Sequence, residues 1–216
     1  MTEFRCRVLL FDLDGTLIDS LPAVDRAWGK WCERHGLDPN EVIPKIHGRR
    51  SIDSIRMLRP DLDAETEDAW LRQMESSDTE GVTALPGTTD FIASLGDAPF
   101  AYVTSGTSDV AGARLRAVGL PVPDTSVYGE DILNGKPAPD PFLEGARRLG
   151  IPPHDCLVFE DTVAGIRGAK AAGMRVVGIT TWKTKEELAE ADAIAPDFRS
   201  ISFRREGTQL VVAVAD

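Results

Sequence analysis

Long apolar runs are what this chain most plainly lacks. None of its 216 residues lies in a stretch approaching the roughly 18 to 20 apolar residues that span a bilayer. That excludes a transmembrane helix. Cysteine is scarce too: Cys6, Cys32 and Cys156 show no metal-ligand spacing and cannot all pair, which points away from a secreted disulfide scaffold and from a zinc ribbon. All three read as small core hydrophobes. Positive charge is in deficit, with 24 Lys and Arg against 35 Asp and Glu and a net charge of -11. Such a balance argues against a nucleic-acid or anionic-membrane surface, so an anionic ligand has to be met by a local basic patch. Internal repeats and low-complexity segments are absent. The N-terminal Met1 to Arg5 leads directly into a strand-like run, so no signal peptide is expected. A soluble, cytoplasmic protein is the expectation, monomeric or at most a weak dimer.

What is present begins with Val8-Leu9-Leu10-Phe11, an apolar run that suits a buried strand and ends in Asp12-Leu13-Asp14-Gly15-Thr16. Alternate residues of a strand point the same way, so Asp12 and Asp14 leave its end close together. Two anions that close call for a shared proton, a cation, or both. An ordinary Asp-Gly turn fits the same residues.

Leu21-Pro22 then starts a helix in which Val24, Ala27, Trp28 and Trp31 recur at helical spacing, with Gly36 at its end. Onward to Leu85 the sequence offers amphipathic segments and no β-branched strand run. Residues 21–85 are therefore read as a small helical unit inserted into a core made of residues 1–20 and 86–216. Within it, His47-Gly48-Arg49-Arg50-Ser51 is the most concentrated basic feature of an acidic chain, ahead of a helix that Ser51 could cap. Guanidinium groups and a helix N-terminus both favour anions; a solvated basic turn is the alternative.

Further strands follow the pattern of the first. Phe100 to Val103 runs into Thr104-Ser105-Gly106-Thr107, before a helix that Ser108 or Asp109 would cap. A short strand near Val127-Tyr128 precedes Asn134-Gly135-Lys136-Pro137, where a lysine held by rigid neighbours can serve as a fixed point charge. Cys156 to Phe159 ends in Glu160-Asp161-Thr162, with a helix over Gly165 to Ala172. Arg175 to Ile179 is another strand, and Ser200 to Val214 reads as a terminal hairpin turning at Glu206-Gly207. Strands alternating with helices imply an α/β fold, a Rossmann-like, doubly wound parallel sheet. The carboxyl ends of such strands share one edge, so Asp12 and Asp14, Thr104 and Ser105, Lys136, and Glu160 and Asp161 should meet in one crevice. The carboxylates are hard oxygen ligands suited to Mg²⁺. Lys136, Thr104 and Ser105 can donate to phosphate oxygens, Asp12 can attack phosphorus as a nucleophile, and Asp14 can exchange a proton with the leaving oxygen and then with water.

Taken together, Asp12-Leu13-Asp14-Gly15-Thr16, Thr104-Ser105, Lys136-Pro137 and Glu160-Asp161 resemble, in order, the four motifs of the haloacid dehalogenase superfamily. The run Phe159 to Ile166 with Ala171-Ala172-Gly173-Met174 is similar to the branch that holds β-phosphoglucomutase and small sugar-phosphate phosphatases. The resemblance implies a helical cap inserted after the first strand and an aspartyl-phosphate intermediate. It also implies Mg²⁺ held by Asp12, the backbone carbonyl of Asp14, and Asp161, with Glu160 assisting through the metal's waters. Asp14 favours an oxygen leaving group over a halide, since a halide needs no proton. Mutases of the branch carry a His in the first cap helix and a Lys-Gly pair in the cap loop. Here Val24 and His47-Gly48 stand near those positions. The loop residues His47, Gly48, Arg49 and Arg50 instead resemble those of phosphatases acting on deoxysugar, hexitol or glycerol phosphates. The expected function is hydrolysis of small phosphate monoesters, with an intramolecular phosphomutase as the alternative.

Overall fold

The computed structural model describes residues 1–215. Two short strands open the chain, β1 (Thr2–Cys6) and β2 (Val8–Phe11), followed by the two-residue β3 (Ile18–Asp19). Four helices come next: α1 (Leu21–His35), α2 (Pro39–Ile46), α3 (Ser51–Leu58) and α4 (Ala64–Ser77). The short β4 (Thr83–Ala84) then pairs antiparallel with β3, so the helical insertion leaves and returns through adjacent strands. The remainder alternates: α5 (Thr88–Ser94), β5 (Phe100–Tyr102), α6 (Ser108–Ala117), α7 (Asp140–Leu149), β6 (Cys156–Glu160), α8 (Val163–Ala171), β7 (Arg175–Ile179) and β8 (Ala193–Ala195). A hairpin of β9 (Ile201–Glu206) and β10 (Gln209–Val214) ends it.

The main sheet is parallel throughout, in the order β5-β2-β6-β7-β8. Its strands are apolar on both faces because both faces are covered. Leu9, Phe11, Tyr102, Leu157 and Phe159 enter one core with residues of α5 and α6. Leu10, Ala101 and Val158 enter a second with Phe142 of α7 and Ile166 of α8. At the centre Phe11 stacks on Phe159 with ring centroids 4.9 Å apart. The insertion has a third core of its own, built on Trp28, Trp31, Cys32, Ile55 and Leu71.

Several sequence expectations are corrected. Thr2–Cys6 is itself a strand: Phe4 and Cys6 turn inward, and the segment pairs with β10 to make a three-stranded antiparallel sheet with the hairpin. Val127 makes only an isolated bridge to Val103 rather than a strand, so Lys136 lies in an irregular segment and not just past a third strand. Ser51 does not cap its helix; Arg50 holds that position, and the Ser51 hydroxyl donates to Asp68 instead. Thr107, and neither Ser108 nor Asp109, precedes α6. The helix read over Gly165 to Ala172 starts two residues earlier, capped by the Thr162 hydroxyl accepting from the Gly165 amide. The C-terminal strand order also includes β8, which the sequence reading omitted.

Candidate active site

Strand register sets the site. Phe11 of β2 lies level with Phe159 of β6 and Tyr102 of β5, so the residues just beyond them emerge side by side at the carboxyl edge. Asp12 continues the pairing through its amide, which donates to the Phe159 carbonyl at 3.0 Å. Glu160 is the last residue of β6, and Asp161 follows it. Carboxylate oxygens of Asp12, Glu160 and Asp161 all lie within 4.8 Å of one another, and all three side chains are buried.

Lys136 reaches this cluster from the irregular segment before α7. Its Nζ donates to Asp12 Oδ1 and to Glu160 Oε1, each at 2.5 Å, and stands 5.3 Å from the centroid of the Phe142 ring. Glu160 is satisfied further by the Thr162 amide and hydroxyl, both donating to Oε2 at 2.8 and 2.9 Å. Asp161 is different. Thr16 donates to its Oδ1 at 3.3 Å, while Oδ2 is buried with no hydrogen-bond partner. Burial pushes the Asp12 carboxyl above its ordinary range against the pull of Lys136, and Asp161 is raised by burial together with Glu160 and Asp12. Burial alone would lower Lys136, yet the two carboxylates it touches raise it. Three buried carboxylates thus share one ammonium, and a further cation would favour their ionised forms together. An orphaned Asp161 oxygen and an oxygen-only donor set fit a hard divalent cation.

Two glycines make the cluster possible. Gly15 has φ +87°, and a Cβ there would fall 2.2 Å from Asp161 Oδ2. A Cβ on Gly165 would fall 1.8 Å from Glu160 Oε1. Any side chain at either position would displace the carboxylate, so both are close-approach glycines.

Beside the cluster a pocket opens between the parallel sheet and the insertion, lined by Asp12, Asp14, Trp28, His47 to Arg49, Glu75, Thr104, Ser105, Arg114 and Trp182 among others. The Asp14 carboxylate is not part of the acidic cluster; its Oδ1 accepts from Arg114 Nη1 at 2.8 Å. Thr104 Oγ1 accepts from the Gly106 amide, leaving its hydroxyl proton free to donate. Ser105 donates to the Gly48 carbonyl at 3.0 Å, which ties the parallel sheet's edge to the loop after α2.

That loop divides into unlike parts. His47 packs on Trp182, centroids 5.6 Å apart, and burial lowers its pKa below the ordinary 6.5, which disfavours its charged form. Arg49 is exposed and lines the pocket. Arg50 is turned elsewhere. Its guanidinium is held by Asp53 at 2.6 and 2.9 Å and donates to the carbonyls of Ile132 and Leu133 at 2.7 and 2.9 Å. The reading of Arg50 as a pocket residue does not match this placement: it anchors the insertion to the loop before Lys136.

Sequence reasoning missed Arg114, Glu75 and Trp182. The first two sit within amphipathic helices and look like solvated charges. Trp182 had a signal, since it follows β7, whose carboxyl end lies on the same sheet edge.

The whole arrangement has close parallels among known proteins. The family model for haloacid dehalogenase-like hydrolases matches residues 6–173. The chain is 42% identical over 207 residues to hexitol phosphatase A of Escherichia coli, covering 94% of this chain and 96% of that one. It is 33% identical to glycerol-1-phosphate phosphohydrolase 2 of Saccharomyces cerevisiae, over 92% and 85% of the two chains. Among solved structures, CbbY from Rhodobacter sphaeroides in complex with phosphate superposes with a TM-score of 0.79 at 25% identity, over 89% of this chain and 95% of that one. The chain belongs to the haloacid dehalogenase-like hydrolases.

Proposed function

We propose that the protein hydrolyses small phosphate monoesters of polyols and sugars, with Asp12 as nucleophile and Asp14 as its acid/base partner. The buried Asp12–Lys136–Glu160 arrangement carries this reading. A carboxylate whose Oδ1 is clamped by an ammonium is fixed in direction, and its other oxygen can face a phosphorus atom. Attack by Asp12 forms an aspartyl phosphate and releases the alcohol, whose oxygen takes a proton from Asp14. Asp14 then removes a proton from water, the water oxygen attacks phosphorus, and the Asp12–phosphate bond breaks to regenerate the carboxylate. Lys136, with Thr104 donating, holds phosphate oxygens through both steps. Asp12 and Asp161 would hold a divalent cation, Mg²⁺ by its hardness, with the Asp14 carbonyl as a further oxygen ligand and Glu160 beside it. When bound, that ion supplies charge neutralisation for the phosphate and for Asp161, the cluster carboxylate that Lys136 does not touch.

Residues 21–85 act as a lid over this site, and β3 and β4 give it paired entry and exit strands. Closure would keep bulk water from the phosphorylated aspartate. By the resemblance, Val24 and His47 stand near the positions where a mutase of this branch would carry its His and Lys, which favours water as acceptor over a second sugar hydroxyl. The named activities of the relatives, on hexitol and glycerol phosphates, support the same substrate class.

Phosphate release from a panel of polyol and sugar phosphates tests the reading. The wild-type protein with Mg²⁺ should release inorganic phosphate and free alcohol, with activity lost on chelation and restored by Mg²⁺. Asp12→Asn should lower turnover by roughly 10³-fold or more with its circular dichroism unchanged. Full activity in that variant, or in the chelated protein, would refute the mechanism; an isomerised phosphate ester without free phosphate would make it a mutase.

A further inference from the structure

Glu75 is an unexpected neighbour for the site. It belongs to α4 of the insertion, lines the same pocket as Asp14, and has a side chain only 12% exposed. Burial raises its pKa, helped by the nearby Asp14 and Asp68 carboxylates, while the Arg114 charge and a hydrogen bond with Trp28 pull it back down. Its oxygen Oε1 is 3.7 Å from Arg114 Nη2, beyond hydrogen-bond range, whereas Nη1 of the same guanidinium donates to Asp14 at 2.8 Å. Arg114 is itself buried in α6, with Nε and Nη2 lacking hydrogen-bond partners. One fixed cation therefore stands between two pocket carboxylates, one from each side of the cleft. A carboxylate this buried costs several kcal/mol unless its oxygens are used; the 3.7 Å Arg114 contact and a hydrogen bond with Trp28 still leave acceptor capacity on its two oxygens.

We propose that Glu75 is a specificity-determining residue that accepts hydrogen bonds from hydroxyls of the leaving alcohol, and that Arg114 is a positioning residue fixing its place relative to Asp14. The inference rests on the phosphatase reading and sharpens it to esters of hydroxylated chains. Asp14 meets the ester oxygen, so a carboxylate tethered to the same guanidinium lies within reach of hydroxyls on the next few carbons. The pocket also holds Val24, Trp28 and Trp182, whose apolar surface suits the C–H face of such a chain. A plain alkyl alcohol would bury Glu75 without donors, and a site built for a hydroxyl rejects the analogue lacking it.

The test compares kcat/KM for glycerol 3-phosphate and sorbitol 6-phosphate with that for n-butyl phosphate, using the Mg²⁺-loaded protein. Wild type should prefer the hydroxylated esters. Glu75→Ala should collapse that preference by about tenfold or more, chiefly through KM. Glu75→Gln, which keeps the shape and one acceptor oxygen, should fall between and serves alone if the alanine variant does not fold. Arg114→Met should lose kcat on alkyl phosphates far more than on p-nitrophenyl phosphate, whose leaving group needs no proton, and Arg114→Lys should recover part of it. A wild type that hydrolyses all the alkyl esters equally overturns the inference and leaves the phosphatase reading standing. An unchanged preference in Glu75→Gln and Glu75→Ala also overturns it, as does an equal loss on all esters in Arg114→Met. Release of phosphate from none of the esters by wild type overturns both readings.

Discussion

Replacing Lys136 by methionine separates what the buried ammonium does for the fold from what it does for chemistry. The side chain is 1% exposed and donates at 2.5 Å to both Asp12 and Glu160. Methionine keeps much of the volume and removes the charge, so Asp12, Glu160 and Asp161 face one another with no cation among them. Breaking a buried ion pair by deleting one partner costs about 3–5 kcal/mol. For a chain of this length each kcal/mol moves the midpoint by roughly 2–4 °C, so Lys136→Met should melt about 6–20 °C below wild type when the divalent cation is chelated. Adding Mg²⁺ should then raise the melting temperature of the variant more than that of wild type, because the ammonium no longer repels the ion. A ligand at a hundred times its Kd stabilises by about 2.7 kcal/mol. Activity should not return with the stability, since the clamp on Asp12 is gone. Arginine should not substitute, because its planar fork is too large for a site already packed against Phe142. Differential scanning calorimetry with and without Mg²⁺, beside a phosphate-release assay, reads all of this. A chelated variant melting within about 2 °C of wild type, or one regaining full turnover with Mg²⁺, would refute the charge argument.

The two arginines of the loop after α2 should behave differently. Arg49→Ala should raise KM for good substrates several-fold at little cost in stability, as expected of an exposed pocket-rim cation. Arg50→Ala removes the hydrogen bonds to Ile132 and Leu133 and frees Asp53, so it should lower the melting temperature and increase proteolysis between α2 and α3; matching effects in the two variants would contradict this division. The three cysteines should resist iodoacetamide at pH 8 in the native protein and react fully in denaturant. Burial pushes the Cys6 and Cys156 thiols up to about 12 and raises Cys32 as well, which disfavours the reactive thiolate; fast native labelling, read by mass spectrometry, would show that one is accessible.

The parts of the fold that were legible in the sequence are those where one local pattern decides the outcome. Val8 to Phe11, Cys156 to Phe159 and Arg175 to Ile179 are continuous apolar runs followed by polar residues, and only a buried parallel strand satisfies that. The phosphatase reading followed from their carboxyl-end residues, and the relatives named as phosphatases agree with it. Elements with weak local signals were missed. The β1 segment alternates polar and apolar residues over only five positions, and it is a strand because β10, over two hundred residues away, supplies its partner. β8 is three residues long and owes its existence to β7 beside it. Boundaries such as Arg50 before α3 shifted because the residue that looked like a cap, Ser51, found a better partner in Asp68.

The site shows the same division more sharply, because charge in a sequence carries no sign of where its partner will be. The placing of Asp12, Asp14, Glu160 and Asp161 at one edge was legible because each follows a strand, and that of Lys136 because it precedes a rigid proline segment. The basic loop offers less charge to the pocket than its composition suggests: burial disfavours the charged form of His47 against Trp182, and Arg50 is engaged by Asp53 and main-chain carbonyls, leaving Arg49. Arg114 was under-read for the converse reason, since its partners Asp14 and Glu75 lie 100 residues or fewer away in sequence on different elements and meet only in the folded chain. With Asp12, Asp14, Glu75, Glu160 and Asp161 set against Lys136, Arg114, Arg72 and Arg49, the pocket and the cluster behind it are nearly balanced but still negative. A divalent cation turns that balance positive. The acidic composition, which left an anionic ligand to be met by a local basic patch, is thus compatible with a phosphate ester, provided the cation enters the site with it.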